Sequence, residues 1–107
     1  MKQKVIKQFE KLKQAADSGR DIQFARLCDP SVVMTLVKVL AETNLTDAKR
    51  QELQTMHDIA NSALGKKLSS AAGHDFTAAC APSVIGSWCS DAISAIKNEP
   101  EIEAIAA

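Results

Sequence analysis

The side chains best suited to chemistry in this chain of 107 residues are Cys28, Cys80, Cys89 and His74. Thiolates and an imidazole can hold zinc, and a thiol beside an imidazole can act as a nucleophile. The spacings fit neither role well. They match no common zinc pattern, there is no CxxC, and Cys28 completes a ligand set with His74, Cys80 and Cys89 only if distant stretches converge. Nothing marks Cys80 or Cys89 as activated by His74. An odd number of cysteines is no disulfide framework, so the three read as small buried hydrophobes in a reducing compartment. A phosphate-cradling glycine loop, HExxH and a paired-carboxylate signature are all missing from the sequence. The expectation is a protein that is not an enzyme, with no catalytic residue, no metal and no cofactor.

Two of the cysteines belong to a phrase written twice, FARLCDPSVV at 24–33 and FTAACAPSVI at 76–85. Phe24 aligns with Phe76, Cys28 with Cys80, Pro30 with Pro82, Ser31 with Ser83, Val32 with Val84 and Val33 with Ile85, at a constant offset of 52. Each copy follows a helical stretch and a glycine, Gly19 or Gly73. The pattern predicts a helix–turn–helix unit used twice. In each, Phe pins the turn, Cys fills a gap beneath it and Pro starts the next helix. One such unit cannot bury its own apolar face, whereas two can cover each other.

The elements that carry this phrase are helical by spacing. Val5, Phe9, Leu12 and Ala16 share one face of a helix over 2–17, widened by Ile6 and Ala15, and Gly19 suits a left-handed cap. Residues 22–28 form short turns carrying Phe24 and Leu27 inward. Asp29-Pro30 is a helix start, because the carboxylate caps free amides and proline has no amide to leave unpaired. That helix carries Val33, Leu36, Val37 and Leu40 to about Glu42. Thr46 caps a long third helix, with Leu53, Met56, Ala60, Ala63 or Leu64, and Leu68 facing inward. It continues to about Ala71 unless Gly65 breaks it. The last helix runs over 82–98 with Ile85, Trp88, Cys89, Ala92 and Ile96 inward, and Pro100 ends it. No strand-like alternation appears. The fold class predicted is all-α: a compact bundle of four main helices in one domain, 1–98, with repeat units 1–43 and 46–98. An acidic, mobile tail follows at 99–107.

Hydrophobic residues make up 46% and aromatics 4%, so the core is aliphatic and gains from covering by a second copy, as in a homodimer, or by a partner. Formal net charge is zero, which argues against non-specific nucleic-acid binding. The charge is uneven: residues 1–20 carry six cationic and two acidic side chains, and residues 91–107 carry four acidic and one cationic. Head and tail can therefore attract each other. Lys4, Lys7 and Lys11 lie on one face, a solvated face or a contact for an acidic partner. Gly86, Ser90 and Ser94, four apart, form a small-residue ridge that lets another helix approach. Trp88 is the only tryptophan and the natural anchor of an interface if exposed. The interaction surface expected from these features is Lys4, Lys7, Lys11, Trp88, Ser90 and Ser94. The N-terminal stretch has no signal-peptide core, and no stretch is long enough to cross a membrane, so the expected location is the cytoplasm.

The stretch LKQAADSGRDIQFARLCDPSVVMTLVKVLAE resembles the short module of Ead-like early accessory proteins of lambdoid phages. Leu12, Ala15, Ala16, Gly19, Phe24, Asp29, Pro30, Val33, Leu36 and Leu40 carry the likeness. The second copy fits the turn but loses the leucines after it, and the family's Pro-Trp after the glycine is absent. The resemblance covers about a third of the chain. It implies a small phage or prophage accessory protein, working in a bacterial host cell by binding a host protein and covering its surface. Two alternatives come from other classes: a nucleic-acid-associated regulator using the N-terminal lysines, and an oligomeric sponge that binds a nucleotide.

Overall fold

The first helix is wound by a stripe of apolar side chains and stopped by a glycine. Ile6, Phe9, Leu12 and Ala15 are the buried line of α1 (Lys2–Asp17), with Val5 and Ala16 on its flanks. Gly19 then takes φ +69°, and the Arg20 amide donates back to the Ala15 carbonyl at 3.2 Å. That long closing bond is the signature of a left-handed glycine cap.

The computed structural model describes residues 2–67 and 69–98. After α1 come α2 (Asp21–Leu27), α3 (Pro30–Ala41), α4 (Asp47–Ala63), α5 (Ala71–Ala79) and α6 (Pro82–Asn98). All six elements are helices and none of the described residues is in a strand. The expected acidic tail lies outside the described residues.

The count of four helices is corrected to six, for two physical reasons. The turns expected before Asp29 and before Ala81 close enough i→i−4 bonds to be helices in their own right. The long third helix also breaks, because Leu64 turns extended and Gly65 takes φ +74°. The chain restarts at Ser70, whose hydroxyl accepts from the Gly73 amide at 3.1 Å and donates to the Lys67 carbonyl at 2.6 Å. Leu64 is consequently exposed, and Ala63 is the residue that faces inward. Leu68, expected inward, lies outside the described residues. The glycine turn before the second copy is thus Gly65. Gly73 sits inside the first turn of α5 and is buried.

The caps hold where the side chains supply oxygen. Asp29 Oδ1 accepts from the Ser31 amide at 2.7 Å, the Ser31 hydroxyl at 2.6 Å and the Val32 amide at 3.4 Å. Thr46 accepts from the Lys49 amide at 3.3 Å. These bonds pair donors that the first turn of any helix leaves free.

The core lies between α1, α3 and α6. Phe9, Leu12, Val33, Leu36, Val39, Leu40, Ile85, Cys89 and Ile96 are fully buried, and Trp88 adds its ring at the edge. Burying each large side chain contributes about 1.5–3 kcal/mol. The principal helix pairs are α1 with α6, α3 with α4, α3 with α6, α1 with α2 and α4 with α5. Exchanging α1, α2 and α3 for α4, α5 and α6 returns the same set of pairs. The first helix of each half therefore rests on the last helix of the other. Helix α6 lies close against α1 at Gly86, where an added Cβ would stand 3.1 Å from Asp17 Oδ1 and 3.5 Å from the Ala16 Cβ.

Two outcomes follow, both read by chemical denaturation. Asp29→Ala should cost about 1 kcal/mol by uncapping α3. Gly86→Ala should be neutral or stabilising by up to about 1 kcal/mol, because the Asp17 side chain is exposed at the surface and can swing away while the helix gains propensity. Gly86→Leu should cost about 1–3 kcal/mol by forcing α1 and α6 apart.

Candidate functional site: a groove between the two short helices

Each short helix carries Phe and Cys four residues apart, so both point the same way. On α2, Asp21, Phe24, Ala25 and Cys28 form one continuous face. On α5, Phe76, Thr77 and Cys80 do the same, with Pro82 beyond. These faces line one groove of about 260 Å³, open to solvent and almost wholly apolar. Phe24, Phe76, Cys28 and Cys80 are all buried, and Pro30 and Pro82 are half-buried at the starts of α3 and α6.

The two ends match closely. The Cys28 amide donates to the Phe24 carbonyl at 2.8 Å, and the Cys80 amide to the Phe76 carbonyl at 2.9 Å. Each cysteine leaves the helix and is followed by one residue and a proline. The two copies of the phrase therefore bring their thiols together. Cys28 S–H donates to the Cys80 sulfur. That hydrogen bond, reinforced by burial, pushes the Cys28 thiol far above the ordinary range. The same bond stabilises a thiolate on Cys80 and pulls its pKa below the ordinary value, against the opposing effect of burial. Cys89, on α6 nearby, is pushed up to about 12 by burial.

Outside the groove, α2 turns another face to water. Ile22 is 75% exposed, beside Arg20, Asp21, Gln23 and Arg26. A shallower groove between α4 and α6 is bordered by Met56, Ile59, Val84 and Trp88.

The structure separates the residues singled out in the sequence. Lys4, Lys7 and Lys11 are exposed on α1. Trp88 is only 7% exposed and packs in the core cluster. Gly86 is used up against α1, whereas Ser90 and Ser94 are exposed. The small-residue ridge is split because each step of four residues turns about 40° further around a helix of 3.6 residues per turn. His74 is exposed on α5, away from buried Cys80 and Cys89 as a ligand set. Among the described residues no group of three or more potential ligands converges. Sequence reasoning missed the pairing of Cys28 with Cys80 as a pair, although their identical place in the repeated phrase was the available signal. It also missed Ile22, a branched aliphatic residue set alone among Arg20, Asp21 and Gln23.

Comparisons with protein-family models, curated proteins and solved structures found no match to this chain.

Iodoacetamide in limiting amount on the folded protein near neutral pH should label Cys80 first, because it lines the groove and Cys28 favours its thiolate. Cys89 should label only after unfolding. Mass mapping reads the order, and equal labelling of all three sites would contradict the thiol assignment.

Proposed function

We infer that this chain is a small interaction protein of the phage or prophage accessory kind, which binds a host protein and inhibits or redirects it by covering its surface. The observation that carries this reading is α2 itself. One face of this seven-residue helix lines an apolar groove, and another holds Ile22 in water between Arg20 and Arg26. Leaving a large aliphatic side chain exposed forgoes about 1.5–3 kcal/mol that burial would return. An apolar residue rimmed by Arg20, Arg26 and Asp21, net cationic, suits a partner surface that is apolar at its centre and net acidic around it. Lys4, Lys7 and Lys11 extend the cationic surface along α1. The chain acts here by occlusion, with no bond made or broken in the partner.

Tagged wild-type protein and an Ile22→Asp variant, passed over the same bacterial lysate, test this. Ile22 is exposed, so the variant should keep the wild-type thermal midpoint. One protein should be retained by the wild type and weakened about 30-fold in the variant, the loss of roughly 2 kcal/mol expected for an anchor. Identical captures by both proteins, or capture of DNA alone that salt abolishes, would overturn the reading.

A further inference from the structure

The repeated phrase places Cys28 and Cys80 at equivalent ends of α2 and α5, and both residues line the groove. Both cysteines line one groove at equivalent places in the repeat, so the fold sets two thiols side by side on a single apolar surface. The interaction between them favours the proton on Cys28 and thiolate on Cys80. Cys89 does not line the groove, and burial keeps its thiol protonated.

We propose that Cys28 and Cys80 are a redox-active dithiol that a hydroperoxide converts into an internal disulfide joining the two halves of the chain. The Cys80 thiolate attacks one oxygen of hydrogen peroxide. A sulfur–oxygen bond forms, the oxygen–oxygen bond breaks, and hydroxide leaves to take up the proton that Cys80 had released. Cys80 is now a sulfenic acid. The Cys28 sulfur then attacks the Cys80 sulfur. The disulfide bond forms, the sulfur–oxygen bond breaks, and a second water carries away the Cys28 proton. The pair loses two electrons and the peroxide gains them. A small dithiol reverses the step by exchange. In the oxidised form α2 is tied to α5 across the floor of the groove, so the shape of the groove depends on the redox state. The proposal stands whether or not the groove takes a partner.

The test uses the full chain, reduced, then treated with one equivalent of hydrogen peroxide. Free thiols are alkylated under denaturing conditions, and the protein is digested with trypsin and chymotrypsin. Cleavage after Trp88 separates Cys80 from Cys89. The expected product joins the peptide holding Cys28 to the one holding Cys80, about 2 Da lighter than the sum because two hydrogens are lost. Cys89 should be alkylated, and dithiothreitol should restore all three thiols. Cys28→Ser should leave a Cys80 sulfenic acid that dimedone traps, and Cys80→Ser should slow peroxide consumption at least tenfold while Cys89→Ser does not. A cross-link through Cys89, a disulfide between chains, or over-oxidation of Cys80 without a cross-link would overturn the proposal. The mapping of the wild-type chain decides even where a variant fails to fold.

Discussion

The structure depends on one exchange of apolar surface. Helix α1 lies along α6 and α4 lies along α3, so each half of the chain covers the other half's last helix with its own first helix. Phe9 and Leu12 on α1, Val33, Leu36 and Leu40 on α3, and Ile85, Cys89 and Ile96 on α6 are all fully buried in the result. An aliphatic core of this size gains little per residue, so most of its burial must come from contacts between the halves. The short helices are held at the same crossing, and this brings their ends together at the groove.

Placing two thiols at that crossing has an electrostatic consequence. In an apolar lining, a lone thiolate is costly to desolvate. A neighbouring S–H that donates to it lowers the cost on one sulfur and raises the proton affinity of the other. Cys28 and Cys80 show this division, while Cys89, without such a donor, simply shows the effect of burial. The reactive pair and the apolar groove are therefore one feature: the helix ends that line the groove are the ends that meet. Ile22 is on the same helix but faces water, which places a contact residue and a redox-sensitive tie within one turn or two of each other on α2.

Much of this was legible in the residues. The three- and four-residue spacing of Phe9, Leu12, Leu36 and Leu40 encodes burial directly, and Asp29-Pro30 and Thr46 encode helix starts through their own hydrogen bonds. The all-α class follows from the same local rules. The break at Gly65 was harder, because one glycine in a helical pattern costs only about 1 kcal/mol and is often tolerated. What decided it was Ser70, whose hydroxyl restarts a helix one turn before the glycine at 73 that had looked like the turn. The split of Gly86 from Ser90 and Ser94, and the burial of Trp88, depend on where α1 lies over α6. That placement is a long-range choice that no local spacing records. The meeting of Cys28 with Cys80 is of the same kind: the repeat made the two equivalent, and only the packing of the halves made them neighbours.

Each half of the chain needs the other to fold. The most direct measurement separates them in the loop between α3 and α4 and follows helicity by circular dichroism on fragments 1–44 and 45–107, alone and mixed. Each fragment alone should give a weak, non-cooperative signal. A one-to-one mixture should regain cooperative helical unfolding. A fragment that unfolds cooperatively on its own, with no gain on mixing, would contradict this mutual dependence.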